Sequence, residues 1–164
     1  MKSLFAFPRA PFLLTLVTTL SLVGGGVLMS EFMHLAACPL CIIQRMLYLL
    51  LALLALGGLS LAASGIGRRF AAVLMVASAG TGAFVAGYQT WIQRFAPMTS
   101  CSGKMPWWEE LVEWAGNLLP LLFKSDGICS DPGWKFLGFS IAEWSLVFFT
   151  GFVLLSLYTL LRRR

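Results

Sequence analysis

Four apolar runs constrain this chain before any motif does. They cover residues 12–29, 41–61, 70–92 and 141–161, to within a residue or two. A helix of about 20 apolar residues crosses the hydrocarbon of a bilayer. The stretches between the runs are short or broken by proline, so an all-α membrane protein follows: a single four-transmembrane-helix bundle over residues 1–164. With 59% hydrophobic residues, 12% charged and a mean hydropathy of +0.83, the chain carries too much apolar surface for a soluble domain of its size. Its net charge of +5 is then a matter of topology and not of nucleic-acid binding.

An even number of spans places both termini on one side. Lys2, Arg9, Arg68, Arg69 and Arg162 to Arg164 share that side with no acidic residue among them, which makes it cytoplasmic. The connections at 30–40 and 93–140 are then outside. All four cysteines, Cys38, Cys41, Cys101 and Cys129, fall in or beside these outer segments. The outer face of a bacterial inner membrane is oxidising, so disulfides persist there. Leu35-Ala36-Ala37-Cys38 has the look of a lipoprotein processing box. Against that reading, the first run is long enough to span, and Ser30, Glu31 and His34 separate it from the box.

Cys38-Pro39-Leu40-Cys41 closes a ring too small for loop entropy to give it much structural value. It stands at the start of the second apolar helix, where unsatisfied N–H groups and the dipole favour a thiolate. Arg45 follows Cys41 by four residues and shares its face. It either adds to that effect or serves as a charged anchor at the lipid boundary. Cys101 and Cys129 read differently. A bridge between them staples a proline-broken loop and contributes on the order of 3–4 kcal/mol. The segment Ala96 to Ser100 is also suited to lie as a strand in a partner's groove. An all-cysteine zinc centre is the main rival use of four thiols, but the second pair does not repeat the half-site spacing, so no metal is expected.

Several weaker features have plain readings. Ala79, Ala83 and Gly87 form a small-residue face for helix packing. Gly24-Gly25-Gly26 reads as allowing close packing or a kink; room beside Cys41 for a flat ring is the other use of three glycines, and nothing in the sequence shows it. His34 reads as a solvated loop residue. Trp107, Leu111 and Trp114 share one face of a short amphipathic helix, with Glu109, Glu110 and Glu113 largely on another, as in a helix lying in the membrane interface.

Taken together, the four spans, Cys38-Pro39-Leu40-Cys41 with Gln44-Arg45, and Gly127-Ile128-Cys129 leading into Trp134-Lys135-Phe136-Leu137-Gly138 resemble the bacterial disulfide bond formation protein B (DsbB) family. The resemblance covers nearly the whole chain. It implies a quinone-dependent protein disulfide oxidase of the inner membrane. Cys101 and Cys129 would form the disulfide that oxidises a periplasmic DsbA-like thiol oxidant, Cys101 being the sulfur attacked. Cys38 and Cys41 would reoxidise that pair. Cys41 would pass electrons to ubiquinone or menaquinone from the membrane quinone pool, and Arg45 would hold the quinone oxygen. The third run ends Gly87-Tyr88-Gln89-Thr90-Trp91, without the histidine that some members carry there. A membrane protein whose outer loops are held by fixed disulfides is the non-enzymatic alternative, and a cysteine-based metal carrier a third.

Overall fold

The computed structural model describes residues 9–34, 36–95, 107–131 and 134–161. Its four long helices are α1 (Ala10–Met33), α2 (Pro39–Leu61), α3 (Gly65–Phe95) and α6 (Ile141–Leu161), each long and apolar enough to cross a membrane. Between α3 and α6 lie two short helices, α4 (Trp107–Leu118) and α5 (Pro120–Phe123), and a two-stranded hairpin, β1 (Lys135–Phe136) with β2 (Phe139–Ser140).

Neighbouring long helices run in opposite directions. Phe12 at the start of α1 meets Gly58 near the end of α2, and Arg94 at the end of α3 pairs with Glu143 at the start of α6. The C-terminal ends of α1 and α3 therefore share one end of the bundle with the N-terminal ends of α2 and α6. Cys38 and Cys41 are at that end, and Arg9, Arg68 and Arg69 are at the other.

Close packing replaces the hydrophobic effect as the force between helices in lipid. On α3 the buried line runs through Ala72, Met75, Ala79, Gly82, Ala86 and Gln89. The expected small-residue face is thus shifted: Ala79 is on this line, while Ala83 and Gly87 flank it half-buried. The tightest approach is at Gly82, where an added methyl would overlap the ring of the fully buried Phe149. That ring in turn stacks on Tyr48, with centroids 4.2 Å apart. The Tyr48 hydroxyl shares a 2.7 Å hydrogen bond with the Ser145 hydroxyl, tying α2 to α6. Gly82→Val is expected to cost about 1–3 kcal/mol through overpacking, read as a lower unfolding midpoint in detergent. Gly151→Ala, with open space around it, should leave the midpoint unchanged.

Some hydroxyls on the spans bond within their own helix: Thr15 and Thr19 donate to the carbonyls of Pro11 and Thr15 at 3.0 and 2.8 Å. At the cysteine end, Ser140 and Glu143 form a capping box for α6. The Ser140 N–H donates to Glu143 Oε2 at 2.7 Å, and the Glu143 N–H donates back to Ser140 Oγ at 3.3 Å. The hairpin turns through Leu137 and Gly138, both at positive φ, the backbone a two-residue hairpin loop requires. Trp144 Nε1 donates to the Phe136 carbonyl at 3.1 Å and clips this hairpin to α6.

Candidate functional site: a thiol cluster beside an apolar cavity

The site begins at the first residue of α2. Pro39 occupies the first helical position, where its missing N–H is no loss. Cys38 is the cap, and its Sγ accepts from the Cys41 N–H at 3.3 Å. The two sulfurs lie 2.6 Å apart at the positive end of the helix, as the spacing predicts.

Cys129 is brought to the same point by backbone contacts. The N–H groups of Asp126 and Gly127 both donate to the Ala37 carbonyl, at 3.1 and 2.9 Å. Gly127 passes so close to Ala36 that a methyl group there would overlap its carbonyl. Two residues further on, Cys129 is buried against Cys38, Leu40 and Ile92, and the half-buried Trp108 of α4 packs on this group. Cys38 and Cys129 are hydrogen-bonded through their sulfurs. That bond, the bond to Cys41 and burial hold the Cys38 thiol far above the ordinary cysteine range. Cys38 thus touches Cys41 on one side and Cys129 on the other.

Beside Cys38 and Cys41 a cavity of about 570 Å³ opens between α1, α2, α3, α6 and the outer segments. Gly25, Gly26 and Met29 of α1 and Cys41, Arg45 and Tyr48 of α2 line part of it. Gly24 and Gly25 have nothing within 4 Å of where a side chain would begin, and Gly26 faces Arg45 Nη2 at 3.9 Å. Of the three glycines, Gly25 and Gly26 line the cavity, within an unbroken helix. Arg45 lies half-buried at the cavity wall, where Nη1 donates to the Leu122 carbonyl of α5 at 2.5 Å.

Of the five predicted site residues, the structure brings together Cys38, Cys41, Cys129 and Arg45. Cys101 and the segment Ala96 to Ser100 lie outside the described residues. His34 is exposed and closes α1 in the left-handed conformation, donating its N–H to the Ser30 carbonyl. Trp107 and Trp114 are 77% and 62% exposed on α4. Sequence reasoning missed Gln89, whose amide reaches both sulfurs of the pair at 3.2 and 3.1 Å. It also missed the roles of Gly127, of Trp108 and of the Leu122 carbonyl. Gln89 carried a signal: an amide within an apolar run must find hydrogen-bond partners inside the protein.

Residues 8–159 match the family model for "Disulfide bond formation protein DsbB". The chain belongs to the DsbB family. Relatives named "Disulfide bond formation protein B" agree over most of both chains. The one from Dechloromonas aromatica is 37% identical over 146 residues, covering 88% of this chain and 87% of its own. The one from Albidiferax ferrireducens is 37% identical over 158 residues, covering 95% and 89%. That of Aromatoleum aromaticum is 37% identical over 168 residues, covering 98% and 97%. Membership in the DsbB family makes this multi-pass membrane protein a disulfide-forming protein with a thiol–disulfide oxidoreductase role in the Dsb pathway.

Proposed function

We propose that this chain is a quinone-dependent protein disulfide oxidase of the bacterial inner membrane, with both termini cytoplasmic and its cysteines periplasmic. It reoxidises a periplasmic DsbA-type thiol oxidant. The observation that carries this reading is the placing of Cys38. It is hydrogen-bonded to Cys129 on one side and to Cys41 on the other, and the Cys38–Cys41 pair opens onto a largely apolar cavity with Arg45 in its wall.

The electron pair follows that line of sulfurs. A partner thiolate attacks Cys101 of the Cys101–Cys129 disulfide, forming the mixed disulfide and expelling the Cys129 thiolate. The Cys129 thiolate attacks Cys38 of the Cys38–Cys41 disulfide. The new Cys38–Cys129 bond forms as the Cys38–Cys41 bond breaks, and Cys41 leaves with the electron pair. Helix N–H groups and the charge of Arg45 stabilise that leaving thiolate. The partner's second thiolate then takes its own sulfur back from Cys101, leaving as an intramolecular disulfide. The freed Cys101 thiolate attacks Cys129 and releases Cys38.

The cavity suits a flat lipid-soluble ring: apolar side chains and glycines form much of its lining, and the guanidinium-bearing Arg45 stands in its wall. Arg45 would hold a quinone oxygen there, with Gly25 and Gly26 making room for the ring. A quinone supplies a lipid-soluble acceptor for two electrons and two protons. Such an acceptor must be at least as oxidising as the partner, since about 30 mV amounts to 1.4 kcal/mol for a two-electron couple.

The test is oxidation of a reduced DsbA-type dithiol by the purified protein with added ubiquinone or menaquinone. Arg45→Ala is expected to raise KM for quinone about tenfold or more, the scale of a lost charge-assisted hydrogen bond, with a smaller effect on KM for the protein partner. Arg45→Lys should fall between, because a point charge replaces a planar fork. No quinone-dependent oxidation by the wild-type protein would sink the proposal.

A further inference from the structure

Two glutamines join α2 to α3 directly beside the thiols. Gln44 is 4% exposed and Gln89 1%. Gln44 Nε2 donates to Gln89 Oε1 at 2.7 Å. With its oxygen occupied, Gln89 turns its NH₂ toward the sulfurs, donating to Cys38 Sγ at 3.2 Å and to Cys41 Sγ at 3.1 Å. A primary amide has two N–H bonds, one for each sulfur. The direction of this chain of hydrogen bonds follows from the sulfur chemistry. Neither a disulfide nor a thiolate has a hydrogen to give, so only the N–H side of Gln89 serves the pair in both states.

We propose that Gln89 is a further catalytic residue of the exchange, a fixed donor to whichever of the two sulfurs carries negative charge, and that Gln44 is the positioning residue that sets its polarity. The proposal rests on the reading of Cys38 and Cys41 as the electron-passing pair. Disulfide sulfur is a weak acceptor and thiolate sulfur a strong one. Hydrogen bonds to an ionised acceptor are about twice as strong as neutral ones, and more so away from water. Donation from Gln89 therefore favours the reduced pair over the disulfide and makes the couple more oxidising. A neutral amide does this without the desolvation cost of a second buried ion.

The experiment is a redox titration of the full chain against glutathione, without quinone, in a Cys101→Ser/Cys129→Ser background. There the Cys38–Cys41 bond is reduced as two glutathione molecules become one glutathione disulfide. Gln89→Met, similar in size and without a donor, is expected to shift the equilibrium about tenfold toward the Cys38–Cys41 disulfide, about 30 mV by the two-electron relation. Gln44→Met should shift it the same way by about threefold. The double variant should match Gln89→Met alone, because Gln44 acts only through Gln89. If the pair merely packs α2 against α3, these variants lower the unfolding midpoint and leave the equilibrium within twofold of wild type, and the proposal is overturned. Independent, multiplying shifts overturn the assignment of Gln44. If Gln89→Met does not accumulate, Gln44→Met decides alone: a shift toward the disulfide supports the proposal and no shift overturns it. No quinone enters the titration, so failure of the oxidase reading and failure of this one are read separately.

Discussion

Cys41→Ser is expected to abolish quinone-dependent oxidation of the partner dithiol, by at least about a thousandfold, while the protein still inserts and folds. Losses of that size accompany removal of a reacting nucleophile. The serine hydroxyl keeps the shape of the helix start but cannot form the bond to Cys38 that receives the electron pair. Cys38 and Cys129 remain hydrogen-bonded neighbours. Oxidation in air should therefore join them, seen as a linked pair of peptides on non-reducing digestion. Cys38→Ser should be equally inactive but without that link, since the sulfur touching Cys129 is the one removed. A protein whose disulfides only staple its loops would show a change in stability and no distinction of this kind. Retained turnover in either variant would remove Cys38 and Cys41 from the electron path.

The difference between the two serine variants could not be drawn from the chain alone, and the reason is physical. The apolar runs announce the four helices because lipid demands length and hydropathy over a continuous stretch. Their ends are less legible. α3 runs on to Phe95 past the apolar limit at Ile92. Gln93 and Arg94 can continue it because Gln93 Oε1 accepts from the Ser140 hydroxyl at 2.8 Å and Arg94 Nε donates to Glu143 at 2.7 Å. Likewise α1 extends through Ser30 and Glu31, where Ser30 donates back to the Gly26 carbonyl at 3.0 Å. The Cys38–Cys41 spacing fixes its own local geometry, so the dithiol at a helix start was readable at once. Gln44 and Gln89 stand 45 residues apart, and nothing local in either names the other. Each shows only as an amide in an apolar run, and the pairing becomes visible when α2 meets α3. Cys129 is similar: its sequence neighbours suggest a motif, but not that the chain before it hydrogen-bonds to Ala37.

That backbone contact yields the second large effect. Gly127→Val is expected to slow transfer from Cys129 to Cys38 by about a hundredfold, although residue 127 bears no reactive group. The valine Cβ would overlap the Ala36 carbonyl. The two hydrogen bonds from Asp126 and Gly127 to Ala37 lie at that same point, so the segment must move away as a unit. Cys129 moves with it, and a misplacement of about 1 Å is enough to lose two orders of magnitude in a reaction that depends on alignment. Cys38, Cys41, Gln89 and Arg45 are carried by α2 and α3 and stay where they are. A small dithiol such as dithiothreitol can reduce the Cys38–Cys41 bond directly, so dithiothreitol-driven reduction of quinone should remain within about twofold of wild type. Partner-driven reduction should fall steeply. Measuring both substrates on one preparation separates a displaced Cys129 from a damaged bundle. Equal losses with both would show that Gly127 supports the fold generally, and no loss with either would show that the Ala37 contact does not place Cys129 for exchange.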